Sequence, residues 1–304
     1  MHMGNRKHTF KEWIIAVRPW SFPASAMPVI VTLGYLLWKS GETPIALNWG
    51  YGIWALVNII IFHAAGNTWS DYFDFRKSVD AEDTFGVKTL TSGMFSPEEI
   101  KRLSIVLLAV AVAGGIALMC LTGLPLLWIG LGGAACSLLY PFLKYNALGD
   151  LVIFMAYAIL PTLGTSFVAS GAVVWDSLWL APPVGLITVA ILHANNTRDT
   201  ATDKRANIRT FAMEIGGKAS RITYYAEILI PFVWIAVCCI AGIFPVWSLI
   251  AAAALVPASA NLKMMKRSGN EGTSAIGTLD EMTAKLQMVF SLLLTLSFII
   301  AYVF

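Results

Sequence analysis

The chain has 304 residues, of which 57% are hydrophobic and 13% charged, and its formal net charge at pH 7 is +3. Soluble domains are about 45–50% apolar and about 25% charged, so the composition excludes an ordinary soluble protein. The small net charge favours no particular partner, and we expect no nucleic acid to bind.

The apolar segments indicate an all-α, polytopic membrane protein. In lipid every backbone polar group has to be bonded within the protein, so only helices or closed barrels span a bilayer. The alternating ten-residue segments typical of barrels are absent. We therefore expect a single transmembrane domain over residues 1–304, with 1–18 as a cytoplasmic N-terminal segment.

Nine segments are long enough to cross a bilayer core, which requires roughly twenty apolar residues. The predicted spans are 19–38, 48–70, 101–121, 123–142, 148–170, 178–198, 222–242, 245–262 and 283–303. Short turns rich in glycine and proline separate the tightest pairs.

The basic residues predict the orientation of these spans. Of the 21 Lys and Arg residues, 20 fall in alternate connecting segments or at their helix ends, and only Lys39 falls outside them. Because positive residues are enriched on the cytoplasmic side, we expect a multi-pass protein of the cell (inner) membrane with a cytoplasmic N-terminus. The second and sixth spans then both end at the cytoplasmic face.

Each of these two spans ends in a cluster of amide and carboxylate side chains. The first is Asn67-Thr-Trp-Ser-Asp71-Tyr-Phe-Asp74, and the second is Asn195-Asn196-Thr-Arg198-Asp199-Thr-Ala-Thr-Asp203. Residues three or four apart share a helix face, so each cluster presents one amide and two carboxylates in one direction. The orientation places both clusters on the same side of the membrane.

Oxygen ligands of this kind suit Mg²⁺, which takes one or two carboxylates and completes its shell with water and substrate phosphate. The simpler alternative is that these acids are solvated helix ends, which is ordinary for any one of them. A pair of carboxylates for hydrolysis is a further alternative, but it leaves the amides unexplained. Two similar clusters on one face favour the metal site.

Basic side chains near the clusters are candidates for binding phosphate. They are Lys77, Lys88, Arg198 and Arg209, of which the arginines suit bidentate phosphate contacts. Ser96, followed by Pro97 and Glu99, predicts a helix N-cap with a capping box. For His63 and His193 we expect roles in packing or hydrogen bonding, because Mg²⁺ prefers oxygen.

The chain resembles the UbiA superfamily of intramembrane prenyltransferases over nearly its whole length. The family's first motif is similar to N-x-x-N-D-x-x-D, and here Ser70 stands where asparagine is usual. The second is similar to N-N-x-R-D-x-x-x-D followed by A-G-K-R-T, and here Asn207-Ile208 replaces the Gly-Lys pair.

Several stretches look most like the 1,4-dihydroxy-2-naphthoate polyprenyltransferases of menaquinone biosynthesis. They are Arg18-Pro19-Trp-Ser-Phe-Pro23, Asp71 to Asp80 with Lys77, Ser92-Gly93 with Ser96-Pro97, Tyr140-Pro141 with Lys144 and Leu148-Gly149-Asp150, and Leu163-Gly164-Thr165.

The resemblance implies a nine-helix bundle in which Mg²⁺ holds a polyprenyl diphosphate, and an aromatic acceptor attacks the allylic cation left when diphosphate departs. In the menaquinone branch the attacked ring carbon loses its carboxyl group as CO₂. The implied metal ligands are Asn67, Asp71, Asp74, Asn195, Asp199 and Asp203, with Asn196 beside the diphosphate. Tyr140 and Lys144 are expected near the reacting centre, where an interfacial anchor is the alternative.

Two other functions are compatible with the residues. One is transfer to 4-hydroxybenzoate, homogentisate, a haem or tetrapyrrole, or a glycerol phosphate. The other is an ion-coupled transporter, which would place its acids near the bilayer midplane rather than at the span ends. The sequence indicates neither prenyl length nor oligomeric state.

Overall fold

The computed structural model describes residues 7–77 and 88–304, so Asp80 lies outside the described residues. Its α-helices are α1 Phe10–Val17, α2 Pro23–Glu42, α3 Trp49–Arg76, α4 Pro97–Thr122, α5 Pro125–Lys144, α6 Gly149–Phe154, α7 Leu160–Ser170, α8 Ala181–Arg198, α9 Thr200–Arg205, α10 Phe211–Ile240, α11 Leu255–Glu271 and α12 Leu279–Val303. A π-helical turn, Met155–Ile159, joins α6 to α7.

The all-α membrane architecture is confirmed. Across the described ranges, eight helices are long and apolar enough to cross a membrane, and a ninth span is completed by the bent pair of α1 and α2. All nine predicted spans coincide with one of these, although several boundaries differ. The seventh begins at Phe211 rather than near 222, because a short polar helical segment precedes its apolar part and joins it across a kink at Gly216, where φ is 76° and ψ 159°.

The first span is bent by 54° between Phe10–Ser21 and Pro23–Glu42. Arg18 ends α1 in the left-handed conformation, with φ 56°, and Pro19 and Pro23 follow it. A proline lacks a backbone N–H and restricts the residue before it, so the helix stops and restarts in a new direction. This bend brings Arg18 over the end of α3.

The core is formed where α2, α8, α10 and α12 pack together. Its largest fully buried side chains include Tyr35, Tyr224, Phe290 and Phe298. Gly34 of α2 faces α12 so closely that a Cβ would lie 3.0 Å from Thr295 Cγ2. Small residues allow such close helix contacts in membranes. In contrast, α4 and α5 keep many large apolar side chains exposed, as lipid-facing helices do.

The loop before α4 ends as the sequence predicts. The Ser96 hydroxyl accepts a hydrogen bond from the Glu99 backbone N–H, and the Glu99 carboxylate accepts one from the Ser96 N–H at 2.8 Å. The predicted capping box is therefore confirmed. It fixes the start of α4 beside the end of α3, which carries the first cluster.

Candidate active site

A cavity of about 1110 Å³ lies inside the bundle, and its charged lining residues gather at one end, called here the polar end. The polar end is formed by the ends of α3, α5 and α8, and the rest of the wall is mainly apolar, with a few uncharged polar side chains. On α3 the lining runs from Ala55 to Asp74, which corresponds to about 28 Å of helix. The cavity therefore joins a charged head region to a long hydrophobic channel.

Asp74 of the first cluster is buried and held by three side chains. Lys144 Nζ lies 2.8 Å from its Oδ2, and the Tyr145 hydroxyl donates to its Oδ1 at 2.7 Å. Ser70, one turn earlier on α3, donates to Oδ2 at 3.2 Å. Lys144 and Tyr145 end α5, so this carboxylate ties α3 to α5 at the polar end.

Asp71 and Asn67 contact the bend between α1 and α2. Arg18 forms an ion pair with the buried Asp71 carboxylate. The Asn67 amide donates to the Val17 carbonyl at 3.1 Å and to the Ser21 hydroxyl at 2.9 Å. Asn67 and Arg18 line the cavity, whereas Asp71 lies behind the lining.

The second cluster is organised by Arg198, whose side chain is buried. Its Nε and Nη2 donate to the two oxygens of Asp199, each at 2.8 Å, in a bidentate pair. Its Nη1 donates to Asp280 at 2.7 Å and to the Gly277 carbonyl at 3.1 Å. Arg198 thus joins α8 to the start of α12 and fixes the orientation of the Asp199 carboxylate.

Asn195 and Asn196 complete this end of α8. With its amide oriented to suit both neighbours, Asn195 accepts from Arg198 Nη2 at 2.9 Å and donates to Asp199 Oδ2 at 3.1 Å. Both asparagines line the cavity.

Asp203 also lines the cavity, and its carboxylate makes no ion pair with any residue in the described ranges. Burial, followed by the negative charge of Asp199, raises the pKa of the Asp203 carboxyl to about 7. Carboxylates crowded in this way are stabilised by a cation between them. The oxygen-only donor set fits Mg²⁺, and Asp74, Asp199 and Asp203 with Asn67 and Asn195 would hold it. Asp71, the sixth predicted ligand, pairs with Arg18 off the lining, and its role as a ligand stays a prediction.

The remaining predicted residues fall into two groups. Tyr140, Lys144 and Lys88 line the same cavity, with Lys144 Nζ 5.7 Å from the centre of the Tyr140 ring. Lys77 and Arg209 are exposed and lie off the lining. Lys77 stacks over Tyr145 at 4.2 Å, and Arg209 pairs with Glu214 at 2.8 Å.

The sequence reasoning did not assign site roles to Arg18, Tyr145 or Asp280. Tyr145 directly follows Lys144, and Arg18 begins the Arg18–Pro23 stretch that resembles the dihydroxynaphthoate branch. Asp280 is followed by Glu281 in the first turn of α12, where acids are common because they suit the helix dipole. Its ion pair with Arg198 depends on the packing of distant helices, which no local pattern shows.

The two histidines differ in position: His63 lines the cavity, whereas His193 lies off the lining. His63 Nδ1 lies 2.9 Å from the Ser25 hydroxyl, and its ring faces Tyr157 at 5.0 Å between centroids. His193 is fully buried between α8 and α10 and contacts Asp150 and Ser220.

Known proteins are similar to this chain in both sequence and fold. The model of the UbiA prenyltransferase family matches residues 26–276. UbiA prenyltransferase domain-containing protein 1 from Mus musculus is 30% identical, covering 97% of this chain and 86% of its own length. Its homolog from Drosophila melanogaster is 31% identical, with 93% and 78% covered.

Among solved structures, a UbiA homolog from Archaeoglobus fulgidus bound to GPP and Mg²⁺ superposes with a TM-score of 0.64 at 17% identity. The match covers 92% of this chain and 99% of the other. At this identity the similarity shows the fold. With the matched family model and the 30% identical relatives, it leads to one conclusion: the chain belongs to the UbiA prenyltransferase family and is a membrane-embedded prenyltransferase.

Proposed function

We propose that the protein transfers a polyprenyl group from polyprenyl diphosphate to an aromatic acceptor in a Mg²⁺-dependent reaction. One observation carries this proposal: residues of the two motifs line the polar end of a cavity whose other walls are mainly apolar. A diphosphate fits the polar end, and an isoprenoid tail fits the apolar channel. The solved relative bound to GPP and Mg²⁺ supports the same pairing of ligands.

The residues at the polar end have distinct tasks. Mg²⁺, when bound, neutralises charge on the leaving diphosphate. Lys88, Lys144 and Arg198 line the same region and add positive charge around that group. The apolar wall excludes water, which would otherwise capture the allylic cation.

For the acceptor we propose 1,4-dihydroxy-2-naphthoate, with loss of CO₂, as in menaquinone biosynthesis. The support is the set of sequence stretches around Arg18, Tyr140 and Lys144, all three of which line the cavity. The relatives from Mus musculus and Drosophila melanogaster are named only for their UbiA prenyltransferase domain, so they do not favour this acceptor over another. By the distribution of basic residues, we place the site at the cytoplasmic face of the cell membrane.

The test uses purified protein in lipid nanodiscs with Mg²⁺, labelled geranylgeranyl diphosphate and a panel of acceptors. Mass spectrometry identifies the product and shows whether CO₂ is lost. We expect a decarboxylated prenyl naphthoquinol and no product with Asp199→Asn. If the protein prenylates another acceptor, such as 4-hydroxybenzoate or a glycerol phosphate, and does not prenylate the naphthoate, the acceptor assignment is wrong.

A second arm addresses the transporter alternative. Liposomes containing the protein should show no ion-driven solute uptake. If they show uptake while no acceptor is prenylated, the proposed reaction itself is wrong.

A further inference from the structure

A second group of ionisable side chains lies outside the cavity lining, between α6, α8 and α10. Asp150 Oδ2 lies 3.1 Å from His193 Nδ1, and Glu227 Oε1 lies 3.7 Å from the same nitrogen. One ligand atom from each of the three residues lies within 4.8 Å of the other two. His193 is fully buried, and Glu227 is only 6% exposed.

The contacts of His193 show what each ring nitrogen faces. Nε2 lies 2.9 Å from the Ser220 hydroxyl and 3.1 Å from the Ser220 carbonyl oxygen, which only accepts hydrogen bonds, so the carbonyl contact favours a proton on Nε2. Nδ1 faces the Asp150 carboxylate at 3.1 Å, and because an ionised carboxylate also only accepts, either a proton or a metal ion has to lie between them. Metal-binding histidines are commonly held in this way, with the other ring N–H donated to a backbone carbonyl.

The two carboxylates point to a missing ligand. Glu227 makes no hydrogen bond to any residue that the structure describes, although its side chain is more than nine-tenths buried. Its Oε2 and the Oδ1 of Asp150 are both buried without a hydrogen-bond partner in the described ranges. Leaving such groups without a partner is costly, and buried charges are normally paired or coordinate a metal.

The spacing of the ligand atoms fits a small transition-metal ion. Ligands about 2.0–2.1 Å from a tetrahedral Zn²⁺ lie roughly 3.3–3.4 Å from one another. The contacts of 3.1 and 3.7 Å from His193 Nδ1 lie on either side of this value. An imidazole with two carboxylates favours Zn²⁺ over Mg²⁺, which prefers oxygen ligands alone.

We propose that Asp150, His193 and Glu227 form a divalent transition-metal site of the Zn²⁺ class, separate from the diphosphate site. The ion would connect α6 and α10 to α8, the helix that carries Asn195 and Arg198. Thr197 of α8 already bonds the Ser220 hydroxyl of α10 at 2.6 Å, so the ion would strengthen an existing contact. Its role would be structural.

The test measures Zn²⁺ itself. Chelator-treated protein in nanodiscs is equilibrated with Zn²⁺ under excess Mg²⁺, which competes at the oxygen-only site, and bound zinc is counted by mass spectrometry. We expect one tightly bound Zn²⁺ per chain in the wild type and in Asp203→Asn, which removes a carboxylate of the oxygen-only site. Glu227→Gln, which preserves side-chain shape, should weaken binding at least tenfold. Co²⁺ should give the visible absorption of a tetrahedral nitrogen–oxygen site.

Controls separate loss of the ion from loss of folding. His63→Gln removes another buried histidine that has no acid beside it, and it should keep the Zn²⁺. Zinc should raise the melting temperature of the wild type but not that of Glu227→Gln; should the latter fail to fold, Asp150→Asn replaces it. Absence of tight Zn²⁺ in the wild type, or unchanged binding in a folded Glu227→Gln protein, would overturn the proposal.

Discussion

The hydroxyl of Tyr145 offers a direct test of the first metal motif. It donates to Oδ1 of Asp74 at 2.7 Å, and Asp74 is only 8% exposed. A hydrogen bond to a charged group contributes about 1.5–3 kcal/mol. Loss of an outer-shell partner of a metal ligand typically costs 10–100-fold in metal affinity or activity, which is about 1.4–2.8 kcal/mol. The two magnitudes agree.

Tyr145→Phe should therefore raise the Mg²⁺ concentration needed for half-maximal prenylation by about 10–100-fold. The ring remains, so Lys77 can still stack on it at 4.2 Å. The assay is the initial rate of prenylation in nanodiscs at increasing Mg²⁺, with melting temperature as a check on folding. Tyr72→Phe is the matched control. Tyr72 lies between Asp71 and Asp74 on α3, and its hydroxyl bonds neither carboxylate among the described contacts. An unchanged Mg²⁺ dependence in folded Tyr145→Phe protein would refute the assignment of Asp74 as a ligand held by this hydroxyl.

Two further substitutions address the channel and the second motif. Gly133 lines the channel, and a Cβ added there would meet no atom within 4 Å, so Gly133→Phe should fill the channel. We expect its transfer rate to fall about tenfold or more with geranylgeranyl diphosphate but to be retained with dimethylallyl diphosphate. Gly133→Ala, the control, should change the rate little. If the transfer rate falls equally with both prenyl diphosphates, the isoprenoid tail does not lie at Gly133. Arg198→Lys keeps the charge but loses the bidentate pair with Asp199. The free energy of unfolding should fall by about 1.5–3 kcal/mol for each charge-assisted bond lost, which lowers the melting temperature, and the transfer rate should fall as well. A wild-type melting temperature together with a wild-type transfer rate would show that the bidentate contact of Arg198 does not orient Asp199.

The sequence predicts the spans and both motifs because they depend on local periods. Hydrophobic runs of bilayer length identify the helices, and spacings of three and four place Asp71 and Asp74 on one face. The boundaries are less well predicted, since α10 continues eleven residues beyond the apolar part of the seventh predicted span. The backbone there is helical except at Gly216, whose φ of 76° and ψ of 159° join the polar segment to the span across a kink.

The partners of the motif residues could not be predicted in the same way. Arg18 reaches Asp71 because prolines bend the first span, and Asp280 reaches Arg198 across 82 positions of sequence. Arg209 shows the converse. A basic residue close to the second motif suggested a phosphate contact, yet the structure pairs it with exposed Glu214. Its role at the diphosphate stays a prediction.

The packing of α12 also bears on how the protein is made. This helix packs against α2, which precedes it in the chain, and its Asp280 holds Arg198 of the second motif. Since chains are synthesised from the N-terminus, α2 and α8 must wait in the membrane without this neighbour until α12 has been made. A ribosome-stalled chain lacking α12 should therefore be inserted yet expose the Gly34 face of α2. Such an intermediate would be a natural substrate for membrane chaperones or quality-control proteases.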